Sequence, residues 1–184
     1  MIYRKDVFSH QYLIVGDFVQ HLAYYRGTKA ELESRAVRSE FWAKTCDAHL
    51  EAATLDWCKV FGSDGPNPTH WKKTSDLNPT EVQKMFRQAA LSKTGFSQSE
   101  WDEYHNRMCR FRDRYVAHVE VGQIPPVPLY DKAFEVACAY DEWVRTLIAP
   151  DFIADPTLDR LDDRWKRDAG ILVESAILRL TEKA

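Results

Sequence analysis

The segment Arg110-Phe111-Arg112-Asp113-Arg114-Tyr115-Val116-Ala117-His118-Val119-Glu120 gathers permanent cations, a carboxylate and a titratable imidazole in one short window. These groups suit phosphodiester cleavage. Breaking RNA without a metal needs one group to move the proton of the ribose 2′-OH and another to protonate the leaving oxygen. It also needs cations to neutralise the crowded phosphorane. His118, Arg112 and Asp113 are the candidates for that work, and Arg107, Arg110 and Arg114 are candidate RNA contacts.

On a regular helix of about 100° per residue, Tyr104, Met108, Phe111 and Tyr115 share one narrow arc, which is the expected core face. His118 falls at its edge. Arg107, Arg110 and Arg114 form a stripe beside the histidine, while Arg112 sits at the opposite edge of the arc, roughly 120° from His118. The two therefore do not meet within one regular helix. A second copy across a two-fold axis would bring Arg112 of one chain toward His118 of the other, and a helix ending before His118 would relax the constraint. Plainer roles stand beside these. His118 can complete the apolar face with a backbone hydrogen bond, the arginine stripe can be a solvated face pairing with Glu103, and Arg112 and Asp113 can be a surface ion pair.

Other combinations carry less. His105 with Cys109, and Cys46 with His49, have ligand spacing on a helix but each lacks a second pair, so no metal site and no cofactor is expected. Trp71, between His70 and Lys72-Lys73, can stack a base or pin its loop to the core, and the second is expected. Arg4 to His10 repeats the Arg-to-His spacing near the N-terminus, with Lys5 where the other copy has Asp113. Glycine-rich phosphate loops, nucleophile elbows and HExxH patterns do not occur in the sequence.

The elements that must position these residues read as helices. Apolar residues recur at helical spacing over 6–26, at Val7, Tyr12, Leu13, Val15, Phe18, Val19, Leu22 and Tyr25. Gly27 reads as a break. A second helix over 29–61 has Phe41, Trp42, Leu50, Leu55, Trp57 and Val60 as buried candidates and stops at Gly62. Residues 62–78 form a long irregular loop rich in turn formers. Asn78-Pro79-Thr80-Glu81 then opens a helix to about Lys93, and Ser97 with Glu100 opens the helix that bears the focal segment. Gly122 and Pro125-Pro126-Val127-Pro128 end it in an extended linker near 122–130. Further helices follow over 131–148, with Phe134, Val136, Tyr140, Trp143, Val144 and Leu147, and over 157–180. Pro150 and Pro156 bracket the turn between them, and the last helix ends in Ile171, Leu172, Val173, Ile177 and Leu178. The expected architecture is an all-α, single-domain bundle of five or six helices.

Length and composition agree. The chain has 184 residues, seven glycines and eight prolines, enough for one core and unlike a β-rich or disordered sequence. A net charge of −3 gives no overall attraction for a polyanion, so contact with nucleic acid must rely on a local basic patch. Four scattered cysteines without CxxC pairs suit a reducing cytoplasm. A leader peptide and a membrane span are not expected.

Arg112-Asp113 followed by Ala117-His118 resembles the Arg-polar-x(3 to 5)-His signature of the HEPN superfamily, helical proteins prominent in prokaryotic defence and toxin systems. The form Arg-Asp-Arg-Tyr-Val-Ala-His is most similar to the abortive-infection AbiU-like branch. The resemblance implies a HEPN-like bundle spanning 1–184, a cytoplasmic homodimer with paired motifs facing a shared cleft, and metal-independent endoribonuclease activity of a toxin-antitoxin kind, with an antitoxin as possible partner. In that reading Arg112 steadies the phosphate, His118 transfers protons and Asp113 orients one of them. Glu120 stands where some HEPN toxins carry a tyrosine that a partner enzyme modifies. The alternative is a non-catalytic helical module that binds RNA or protein through the same basic strip.

Overall fold

Helix formation begins early because the N-terminal region has no interior proline and places large apolar side chains on one stripe. In the computed structural model, which describes residues 3–74, 79–117, 126–149 and 154–181, helix α1 runs unbroken over Lys5–Ser34. It is followed by α2 (Glu40–Phe61), a 3₁₀ turn (Trp71–Lys73), α3 (Pro79–Thr94), α4 (Gln98–Phe111), a π-helical turn (Arg112–Ala117), α5 (Tyr130–Leu147) and α6 (Leu158–Thr181). The molecule is an all-α bundle with six α-helices and no strand among the described residues.

Gly27 does not break the first helix, contrary to the sequence reading. A Cβ placed there would lie 2.3 Å from the backbone oxygen of Lys166 in α6. The glycine is thus a contact surface, letting the two helices approach more closely than a side chain permits. The real break falls at residues 35–39. Val37 N–H donates to Leu32 O at 3.0 Å and Ala36 N–H to Glu33 O at 3.2 Å, the paired bonds of a Schellman stop. Ala36 occupies its left-handed position at φ 53°, where glycine is usual. Sequence inspection misses this stop because its customary residue is absent.

Helix α1 packs against α2 on one side and α6 on another, while α3 pairs with α5. One hydrophobic cluster draws on all six α-helices, with Phe18, Val19, Leu22, Trp57, Phe61, Phe86, Met108, Tyr140 and Val144 near its centre. The expected core residues of α5 are buried, apart from a half-buried Phe134. In α2 the burial begins at Cys46 and concentrates from Ala53 onward, so Phe41 stays 68 % exposed and Leu55 is exposed too. Leu13, Ile171, Leu172 and Leu178 are likewise on the surface. Helical spacing alone made Phe41 and Leu55 buried candidates, but burial also needs a partner element against that face.

Buried Gln11 ties three parts together. Its Nε2 donates to His70 O at 2.8 Å, and its Oε1 accepts from Thr74 Oγ1 and Tyr140 OH, each at 2.7 Å. The loop after α2 is thereby fastened to α1 and α5, and Trp71, buried against Phe86 with ring centroids 4.6 Å apart, secures it further. Trp71 serves as a pin, with no open face for a base. Asn78, Gly122, Pro125 and Pro150 lie outside the described residues.

Candidate nucleic-acid site

Helix α4 carries the site and begins where its sequence predicts. Ser97 Oγ accepts from Glu100 N, and Glu100 Oε2 accepts from Ser97 N at 2.8 Å, a capping box that satisfies two backbone donors at the helix start. Tyr104, Met108 and Phe111 are buried on its inner face. Tyr104 OH donates to Leu129 O at 2.9 Å, anchoring α4 to the residue just before α5. Tyr115 stacks on Phe111 at 4.9 Å and is half-buried.

From Arg112 the backbone changes pitch. Arg112 to Ala117 form a π-helical turn packed against α2, so the regular wheel of the sequence reading does not hold over these six residues. Such wide turns are uncommon and often occur at functional sites. Neither glycine nor proline marks this one in the sequence.

Within the turn, Arg112 and Asp113 form a local pair. Arg112 Nε and Nη2 lie 2.8 and 2.7 Å from Asp113 Oδ1, which fixes the guanidinium at the protein surface with its side chain 24 % exposed. Burial lowers the proton affinity of Arg112, but the Asp113 hydrogen bond and the negative potential of Asp113 and Cys109 more than offset it, so the cation is held more firmly than in water. Arg107, Arg110 and Arg114 are all exposed, and Arg107 Nη2 pairs with Glu103 Oε1 at 2.9 Å. The stripe is therefore a solvated basic face, partly neutralised at Arg107. His118, the remaining candidate, lies outside the described residues.

The structure also brings together the other Arg-to-His pair. Arg4 Nη2 is 3.3 Å from Asp6 Oδ2, His10 Nδ1 is 2.8 Å from Asp6 O, and with Lys73 they line a cavity of about 550 Å³. Of the two ligand-spaced pairs, His49 lies with its Nδ1 2.9 Å from His21 Nδ1, and burial, with His21 beside it, disfavours its charged form. His105 Nε2 is 3.8 Å from Cys109 Sγ. Groups of three or more side chains arranged to hold a metal are absent among the described residues.

Sequence reasoning overlooked two features. Cys58, on α2, lies with its Sγ 3.9 Å from Met108 O, beside Cys109, a neighbourhood set by helix packing and invisible to spacing. A polar cavity of about 200 Å³ lined by Asp64, His70, Lys72, Arg87, Asp102 and His105 draws on three separate stretches of chain. No helix among the described residues is long and apolar enough to cross a membrane. Comparison with known protein families, with curated proteins and with solved structures finds no match to this chain.

Proposed function

We propose that this protein is a cytoplasmic, dimeric, HEPN-like endoribonuclease that cleaves RNA by transesterification, as part of a prokaryotic defence or toxin-antitoxin system. The observation that carries the reading is the π-helical turn over Arg112–Ala117, which holds a partly buried arginine on its own carboxylate at the end of an exposed arginine stripe. A plain surface ion pair on a regular helix has no need of such a turn.

In the proposed reaction the ribose 2′-oxygen attacks phosphorus as its proton is removed. The bond from phosphorus to the 5′-oxygen breaks, and that oxygen is protonated. The products are a 2′,3′-cyclic phosphate and a 5′-hydroxyl. His118 serves proton transfer, Arg112 steadies the phosphorane and Asp113 orients Arg112, while Arg107, Arg110 and Arg114 engage phosphates on either side. DNA resists because it lacks the attacking hydroxyl.

The test is incubation of labelled RNA with purified protein in a chelator, beside His118→Ala and Arg112→Ala. Cleavage to cyclic-phosphate ends is expected, with rate losses of about 100-fold or more in each variant. An RNA that is bound but never cut assigns the basic strip to a non-catalytic binding module. Cleavage unchanged in both variants removes this site from the reaction.

A further inference from the structure

Two cysteines distant in sequence meet where α2 crosses the end of α4. Cys58 is 2 % exposed; its Sγ lies 3.9 Å from Met108 O, the carbonyl of the residue just before Cys109, which places the two thiols side by side. Cys109 is partly exposed, so the pair has an outer and an inner sulfur. His105, one helical turn before Cys109, places Nε2 3.8 Å from Cys109 Sγ and 3.1 Å from Gly62 O. The same imidazole lines the polar cavity of about 200 Å³ between the loop after α2 and α4.

The surroundings divide labour between the sulfurs. The Cys58 hydrogen bond, opposed by burial and assisted by His105 and Arg112, holds Cys109 well below the usual thiol range. Cys58 is pushed up, first by giving that hydrogen bond and then by burial. His105 in turn is raised by its hydrogen bond with Cys109, so the imidazole beside the sulfur is placed to take the Cys109 proton and return it. The remaining cysteines have no such company. Burial, with Asp47 adding to it, raises Cys46, and burial pushes Cys138 up to about 12.

We propose that Cys109 is a peroxide-reactive thiol and Cys58 its resolving partner, forming an intramolecular disulfide that joins α2 to α4 just before the π turn. The Cys109 thiolate attacks one oxygen of hydrogen peroxide and the O–O bond breaks. Cys109 becomes a sulfenic acid, and the departing hydroxide takes the His105 proton to become water. Cys58 sulfur then attacks the sulfenic sulfur; the S–S bond forms, the S–O bond breaks, and hydroxide leaves with the Cys58 proton as a second water. Two thiols are oxidised by two electrons and one peroxide is reduced. The two neighbouring sulfurs then close to a bond of about 2 Å. The step is independent of any ribonuclease activity.

The reduced protein is treated with one equivalent of hydrogen peroxide near neutral pH and mapped by peptide mass spectrometry under non-reducing conditions. A Cys58–Cys109 linkage in the monomer is expected, forming about tenfold or more faster than oxidation of Cys138. In Cys58→Ser the sulfenic acid should persist on Cys109 and be trapped by a dimedone probe. In wild type at pH 5.5, iodoacetamide should label Cys109 ahead of Cys46 and Cys138. His105→Gln should slow the peroxide reaction. Equal oxidation of Cys46, Cys109 and Cys138, or a Cys109 product that never passes to Cys58, overturns the proposal. Wild-type mapping decides it without relying on the folding of any variant.

Discussion

Single side chains in this protein do work that their neighbours in sequence do not reveal. His70 is buried and its Nδ1 accepts from Lys72 N at 3.3 Å, capping the 3₁₀ turn. Burial lowers its pKa from 6.5 to about 4, against the opposing pull of Asp64. A folded value below the unfolded one means that the stability is fully present above pH 6.5 and is lost as pH falls toward 4. Thermal melts should therefore decline across that window, by an amount equivalent to roughly 1–3 kcal/mol. His70→Asn, which keeps an acceptor and cannot titrate there, should flatten the decline. Ala36 offers the opposite kind of change. Its left-handed backbone costs a residue with a Cβ about 1 kcal/mol, so Ala36→Gly should raise the denaturation midpoint slightly despite glycine's greater freedom when unfolded.

Among the helices, contact geometry outweighs propensity. Gly27→Ala would improve the intrinsic helix preference of α1, yet its methyl would meet the Lys166 backbone oxygen in α6. The expected outcome is a loss of about 1–3 kcal/mol in chemical denaturation, whereas stabilisation would mean that the two helices can separate freely. The start of α4 was legible because a capping box is built from residues three apart. The end of α1 and the π turn were not. Ala36 lacks the residue signature of its stop, and the turn at Arg112 contains no residue that breaks helices. Its wider pitch occurs where the segment lies against α2, a contact that a single helix cannot announce.

For the assembled protein, the proposed dimer makes a prediction that neither chain can satisfy alone. If Arg112 acts across the interface on a reaction at the partner's His118, then mixing and refolding Arg112→Ala with His118→Ala generates hybrid dimers with one intact site. Random pairing should restore about a quarter of wild-type cleavage; no restoration would place both groups within one chain. His10→Ala should leave cleavage unchanged, because the Arg4 to His10 pair lines a separate cavity. The net charge of −3 also leaves RNA affinity to the local arginine stripe. Each of Arg110→Gln and Arg114→Gln should then reduce the salt slope of RNA binding by about 0.7.

Helical character, the proline-bounded and capped starts, and most of the inner faces of α4 and α5 were readable directly, since each depends on residues within one or two turns of each other. The arginines of the focal segment were readable as a stripe for the same reason. What depended on the folded bundle was which apolar faces found a partner, why a glycine sits inside a helix, and which two thiols lie side by side. Phe41 remains in solvent, Gly27 meets a backbone oxygen and Cys58 meets Cys109. Periodicity specifies the direction a side chain takes from its own helix axis, but contact and burial require the position of a second helix, which comes from the packing of the whole chain.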